Sequence, residues 1–244
     1  MVTMEKYLVP PRIFLPALVV WLFLSSVCTV FDKPETNEDE AMQTETVNLP
    51  PPNLKGALSL EETLKERRSV RRYLDEPLEL EWVSQMLWAA QGITLEPQGF
   101  RTAPSAGATF PLELYVAAGN VNGLDAGLYS YVPDSHRLVR VSSSDLRSEL
   151  AEAALGQGQV RNAPAVFIIA ADYQRTAGRY GDRAVRYVHM EVGHAGQNIC
   201  LQAITYGLGS VIVGAFHDDQ VKSVLGLPAN EDPLYLIPVG KPWQ

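Results

Sequence analysis

Between Asp182 and Leu208 apolar residues return at spacings of three and four: Val185, Val188, Val192, Ala195, Ile199, Ala203 and Tyr206. That period belongs to an α-helix. Twenty-seven residues at 1.5 Å each make it about 40 Å long, longer than a small domain is wide. The rest of the chain must be laid around such a rod. Gly193 and Gly196 leave flat spots on it where another helix can come close, and Gly207 or Gly209 ends it.

Shorter signals surround the long one. Ser59 followed by Glu62 is a capping box that opens a helix, with Leu60 and Leu64 one turn apart. Residues 79–91 form a second helix, with Leu80, Val83, Leu87 and Ala90 on one stripe. Trp82 and Trp88 on it are packing residues. Residues 99–111 read as loop, and LELYVAAG from Leu112 as a strand. Residues 127–141 read as a hairpin about Pro133–His136. Ser144–Leu155 is a surface helix. AVFIIAAD, residues 165–172, is a dense β-branched run that suits a central strand, with Pro164 just before it where a strand tolerates proline. A strand over 210–216, a helix over 218–227 and a closing strand over 235–240 complete the pattern. Helices and strands interleave without an even βαβ repeat, so the fold class is α+β.

Residues 67–73, RRSVRRY, concentrate positive charge in a chain with 20 Lys and Arg against 28 Asp and Glu. A net charge of −8 argues against a nucleic-acid partner, which calls for a basic field. On an extended backbone Arg67, Ser69 and Arg71 point the same way. Two guanidinium forks and a hydroxyl suit a phosphate, although spacing alone fits a solvated basic patch equally well. The small-residue loop PSAGATFP, residues 104–111, lets backbone approach a planar polar ligand. It lacks the lysine of a nucleotide-triphosphatase loop, and no dinucleotide glycine fingerprint follows a strand. Gly214 and Ala215 sit at the carboxyl end of a strand, where such folds place ligands. His189 and His194 are five apart, which is not the spacing of a zinc helix, so no metal site is assigned. Cys28 and Cys200 form no disulfide framework.

Taken in order, RRSVRRY at 67–73, TAPSAGATFP at 102–111, YGDRAVRYVHMEVGHAGQN at 180–198, GLGSVIVGAF at 207–216 and PVGKP at 238–242 resemble the nitroreductase-like flavoproteins. More narrowly, they resemble the SagB-type (thiazole/oxazole-forming peptide) dehydrogenases. The resemblance covers residues 57–242. It implies a central, mostly antiparallel sheet flanked by helices, in an intertwined homodimer. The long helix would lie at its centre, with two surfaces to bury. It implies FMN as cofactor, held by Arg67, Arg68, Ser69 and Arg71 at the phosphate and ribityl chain, with Lys241 as a late basic contact. Pro104, Ser105, Ala106 and Gly107 would come from the other subunit. The Gly214 and Ala215 backbone would lie near the reacting edge of the ring, and Asn198 would anchor a neighbouring helix. The activity implied is hydride exchange with a small conjugated or electron-poor substrate such as a nitro-aromatic, quinone or enone. Peptide azoline dehydrogenation and a non-catalytic flavin scaffold are the alternatives. Where the azoline oxidases carry a Lys-Tyr pair this chain has Arg179-Tyr180. Tyr180 is able to donate a proton, but Arg179 is no base at neutral pH.

Residues 13–31, IFLPALVVWLFLSSVCTVF, carry no charge and approach the length of a single membrane span. Lys6 and Arg12 precede them, and Asp32, Glu35, Glu38, Asp39 and Glu40 follow. That asymmetry predicts a membrane-anchored, extracytoplasmic domain, or one exported after signal cleavage. Residues 32–56 read as an acidic, proline-bearing tether to a domain over 57–244. The electron donor would then be NAD(P)H or a membrane electron carrier.

Overall fold

The computed structural model describes residues 45–243. Its frame is one seven-stranded sheet. In chain order the strands are β1 (Thr46–Asn48), β2 (Leu78–Glu79), β3 (Ile93–Leu95), β4 (Phe100–Arg101), β5 (Leu112–Ala118), β6 (Val121–Asn122), β7 (Gly127–Val132), β8 (Arg137–Ser142), β9 (Ala165–Ala171), β10 (Gly209–Ser210) and β11 (Asp232–Gly240). The helices are α1 (Leu60–Glu66), α2 (Leu80–Gln91), α3 (Arg147–Ala153), α4 (Gly158–Asn162), α5 (Tyr173–Tyr180), α6 (Ala184–Thr205) and α7 (Asp218–Leu225). The main sheet runs β1-β8-β7-β5-β9-β11-β10, with every neighbouring pair antiparallel. Two small pairs, β2 with β6 and β3 with β4, lie outside it.

Every residue of β9 is buried, because helices cover both faces. Phe167 and Ile169 join Val83, Met86 and Leu87 of α2 and Val188, Val192, Ala195 and Ile199 of α6 in one core. Val166 and Ile168 point the other way, into a second core with Leu150, Val160, Val221 and Leu225 of α3, α4 and α7. The period of two along β9 thus divides one apolar run between two layers.

The helix expected over 182–208 is present as α6, entered through a turn at Gly181–Arg183 and ended at Gly207 with φ +67°. Ser59 caps α1 as expected: the Glu62 N–H donates to its Oγ at 3.2 Å, and its own N–H donates to Glu62 Oε2 at 2.7 Å. Leu60 and Leu64 are nonetheless 61% and 52% exposed, and the buried side chain of α1 is Thr63. Gly196 makes room for the Tyr235 ring and Ile212, not for a helix, and Gly193 faces open space. The strand expected over 210–216 stops at Ser210. Val211 N–H still reaches the Pro238 carbonyl at 3.4 Å, but Pro238 has no N–H to return, and pairing resumes only at Val213–Leu236. Residues 45–53, read as tether, hold β1 on β8, with the Pro50 carbonyl fixed by Ser84 and His136. α5 carried no clear sequence signal: its buried residue is a polar one, Thr176.

The expected membrane anchor is corrected. Among the described residues no helix is long and apolar enough to cross a membrane. Residues 13–31, on which the expectation rested, lie outside the described residues. The membrane partner and the extracytoplasmic placement rested on that segment and find no support among the described residues.

Residues 67–73 run extended along the outer edge of β10. Val70 N–H donates to the Ser210 carbonyl at 2.9 Å, and Ser69 forms a parallel bridge with Ser210. Val70 lies so close to Gly209 that a Cβ there would meet its side chain at 2.6–2.8 Å. Gly209→Ala should cost about 1–3 kcal/mol by overpacking. The expected readout is a lower urea midpoint with an unchanged slope.

Candidate active site

α1 leaves helical geometry at Arg67, with φ −56° and ψ 121°. The following residues are pinned from both sides. Tyr73 places its hydroxyl 2.7 Å from the Val70 carbonyl and 3.0 Å from that of Pro238, and burial raises its pKa. Leu74 N–H donates to the Lys241 carbonyl, and Trp243 N–H to that of Arg72. The Arg72 guanidinium stacks 3.4 Å above the Trp243 ring. Arg67 is half-buried and near enough for its charge to act on the Cys200 thiol of α6. Arg68 donates to the Lys65 and Arg67 carbonyls at 2.8 Å, and Arg68, Ser69 and Arg71 are exposed. Among the described residues no carboxylate pairs with Arg67, Arg68 or Arg71. In a chain of net charge −8, three neighbouring arginines without a counter-charge are a candidate site for an anion.

The other predicted residues fall into three places. Gly214 and Ala215 are exposed beyond the Pro238 interruption, with Gly214 beside the Tyr235 ring. The Ala215 carbonyl accepts from Gln157 Nε2 at 2.8 Å. Asn198 Nδ2 donates to the Ala89 carbonyl at 2.9 Å and ties α6 to α2. Lys241 is exposed and paired with Glu76 at 2.7 Å.

Pro104 to Gly107 form a tight turn against α5 and α6. Gly107 has φ +61°, and a Cβ there would come 2.6 Å from the Tyr180 hydroxyl. Ala108 and Phe110 also have positive φ, at 53° and 45°. Such backbone costs about 1–3 kcal/mol per residue. Fixed bonds hold it. Phe110 N–H donates to Ser105 Oγ at 2.9 Å, the Thr109 and Thr176 hydroxyls meet at 2.9 Å, and Arg179 Nη1 donates to the Gly107 carbonyl at 3.1 Å. Tyr180 packs edge-on to Tyr187. Tyr180 and the turn are therefore brought together, although 73 positions separate Gly107 from Tyr180 (180 − 107).

Within one chain the arginine segment and this turn border different parts of α6. Cys200, near Arg67, and Glu191, near Ser105, are nine residues apart (200 − 191), about 14 Å along the helix. A concavity of about 590 Å3 is lined by residues 53–60, Trp88, Tyr206 and others, and of the candidate residues only Asn198 borders it.

Sequence reasoning passed over Glu191, Gln91 and Arg101. Glu191 is 2% exposed, and burial pushes its carboxyl up to about 7 against the pull of Ser105, Arg101 and Gln91. Arg101 Nη1 donates to Gln91 Oε1 at 2.8 Å, and its guanidinium lies 4.5 Å from the Phe110 ring centre. The signal was available. Glu191 stands three after Val188 and four before Ala195, an acid on the apolar stripe of a long helix.

Residues 64–241 match the nitroreductase family. A protein of Methanocaldococcus jannaschii assigned by name to the nitroreductases is 50% identical over 184 residues, which cover 75% of this chain and 91% of that one. The NADPH-flavin oxidoreductase of Vibrio harveyi is 34% identical over 115 residues, 44% of this chain and 48% of that enzyme. Among solved structures, a protein from Anabaena variabilis assigned by name to the nitroreductases superposes with a TM-score of 0.72 at 34% identity, covering 82% of this chain and 42% of that one. The antiparallel sheet and its covering helices thus form a known frame. The chain belongs to the nitroreductase family and is an FMN-dependent oxidoreductase of that kind.

Proposed function

We propose that the chain, as a homodimer, exchanges hydride with a small conjugated or electron-poor substrate of the nitro-aromatic, quinone or enone class. The observation that carries the cofactor site is the set of three arginines at the β10 edge with no counter-charge among the described residues. The residues present fit FMN. Arg67, Arg68, Ser69 and Arg71 would take the phosphate and ribityl chain. The exposed Gly214 and Ala215 backbone would offer N–H groups to the ring edge. Lys241 adds a cation at the rim while held by Glu76. When bound, the flavin supplies the hydride chemistry at its N5.

The chain's own residues supply position and protons. The Pro104–Gly107 turn of the second subunit would close over the ring, which accords with the distance along α6 between the turn and the arginines of one chain. Val185 and Met190 of α6, 50% and 54% exposed, and Leu60 and Leu64 of α1 give the second subunit apolar surface to cover. Asn198 holds α6 on α2 beneath this surface. The Tyr180 hydroxyl, beside Gly107, would hold a proton for the substrate. NADPH is the proposed donor, on the likeness to the Vibrio harveyi enzyme. Peptide azoline oxidation would need a base where Arg179 stands. Arginine is no general base at neutral pH, and this guanidinium is engaged with the Gly107 carbonyl.

The test is a titration of the purified protein with FMN, followed by addition of NADPH. A protein that takes up about one FMN per chain and bleaches with NADPH supports the reading; one that binds no FMN sinks it. Arg67→Ala and Arg71→Ala should each weaken FMN by roughly 10- to 100-fold, the loss of one charge-assisted hydrogen bond of about 1.5–3 kcal/mol. Tyr180→Phe should leave FMN affinity within about twofold and lower kcat by roughly 100-fold or more if the hydroxyl is the proton donor.

A further inference from the structure

Residues 45–53 run beside β8 and α2 and are held there by side chains that the proposed chemistry does not use. β1 pairs with β8 from Thr46 to Asn48, and Leu49 N–H donates to the His136 carbonyl at 3.2 Å. Two consecutive buried residues of α2 grip the next stretch. Ser84 Oγ donates to the Pro50 carbonyl at 2.7 Å. Gln85 Oε1 accepts the Asn53 N–H at 2.7 Å, and its Nε2 donates to the Asn53 carbonyl at 3.1 Å. His136 joins this grip from the hairpin. It ends the Pro133–Ser135 turn in left-handed backbone, φ 45°, which histidine adopts more readily than most residues. Its Nε2 lies 2.8 Å from Ser84 Oγ and 2.9 Å from the Pro50 carbonyl oxygen, and its Nδ1 lies 2.9 Å from the Tyr131 hydroxyl.

These contacts fix where the ring carries its proton. The Pro50 carbonyl can only accept, and the Ser84 proton goes to it. Nε2 then meets two acceptors and must itself carry hydrogen. Nδ1 is left bare and accepts the Tyr131 O–H. The neutral ring therefore satisfies every group in the network. A second proton, on Nδ1, would point at the Tyr131 oxygen and force that hydroxyl to turn its own hydrogen away. Tyr131 is 3% exposed, and His136 is the partner of its hydroxyl among the described residues, so that hydrogen would be buried and unpaired.

The charges around the ring come from several elements. Glu96 of the β3–β4 connection and Asp134 share a cleft with His136 and favour its cation. Arg101 on β4, whose charge reaches Tyr131, and Arg137, next in the chain, oppose it. α2 brings Glu81, one turn before Ser84, and residues 46–53 carry no charge. Burial is the larger influence on His136 and lowers its pKa from 6.5, against the pull of the Pro50 carbonyl. The folded chain thus holds a proton on this ring less readily than the unfolded one. The contribution to stability is complete well above pH 6.5 and declines as pH falls through and below that value.

We propose that His136 is an acid-sensitive latch on residues 45–53: neutral, it closes the network of Ser84, Pro50 and Tyr131 on them, and protonated, it releases them. Residues 53–60, next along the chain, form one wall of the 590 Å3 concavity against α2 and α6, so release of the latch loosens that wall.

The test is hydrogen exchange of the peptide over residues 45–56 in the purified protein at pH 5 and pH 7.5, corrected for intrinsic exchange. Wild type should be protected at pH 7.5 and exchange severalfold faster at pH 5, with a ceiling of about 30-fold set by 1.5 pH units below the ordinary histidine value. His136→Asn, which tolerates left-handed backbone, should exchange at one corrected rate at both pH values. Residues 165–171 of β9 should stay protected throughout, which separates local release from global unfolding. The His136 ring-proton NMR signal, identified by its loss in His136→Asn, should titrate below pH 6.5 with the same midpoint as the exchange. That coincidence decides the case if His136→Asn leaves the segment open at both pH values. Equal protection of the wild-type segment at both pH values overturns the proposal. So does a wild-type pH response that persists in His136→Asn, a loss of β9 protection in step with the segment, or a ring that titrates at or above pH 6.5.

Discussion

The burial of β9 on both faces is the constraint from which the architecture follows. A strand that is apolar at every position cannot face water on either side, so a helical layer must cover each face. α6 and α2 cover one face, and α3, α4 and α7 cover the other. Once α6 lies on the sheet, its C-terminal half comes beneath β10 and the arginine segment, and its N-terminal half beneath the Pro104–Gly107 turn. Both halves of the candidate site are thus set by one helix on one sheet.

The arginines owe their availability to where they run. An edge strand leaves backbone groups unpaired, and residues 67–73 pair only partly with β10, through Ser69 and Val70. Tyr73 and the Arg72–Trp243 stack fix the segment without using the other guanidinium groups. Carboxylates meet basic groups elsewhere on the surface, at Arg140, Arg147, Arg161, Arg175, Lys222 and Lys241. Withholding a partner from adjacent arginines leaves mutual repulsion that a bound dianion relieves. The turn stores strain of a different kind, in left-handed backbone at residues with side chains, and three separate hydrogen bonds hold it.

Much of the fold was readable from local pattern. The Ser59 box, the stripe of α2, the hairpin of β7 and β8, the dense run of β9 and the period of α6 all appear where their residues place them. The misses have particular causes. Pro238 lies in a different strand from the one it shortens, so no window around residues 210–216 contains the reason. β1 comprises three residues in an acidic, proline-bearing context and exists by virtue of β8, where Thr46 meets Val139, 93 positions on (139 − 46). The uncharged apolar run over 13–31 suggested a membrane span; it lies outside the described residues, and among those no helix is long and apolar enough to cross a membrane.

The sequence by itself determined the α+β class, the long helix, the concentration of arginines at 67–72 and the small-residue turn, because each is a short-range property of period, capping or composition. The five motifs in order also carried the family. Only the tertiary structure decided which arginines lack a counter-charge, that Tyr180 stands at Gly107, and that Glu191 is enclosed by Gln91, Arg101 and Ser105. The reason is physical. Whether a charge is satisfied, and whether a carboxyl is dry, depends on groups brought from distant positions by the packing of α6 and α2 on the sheet. No local pattern encodes those neighbours.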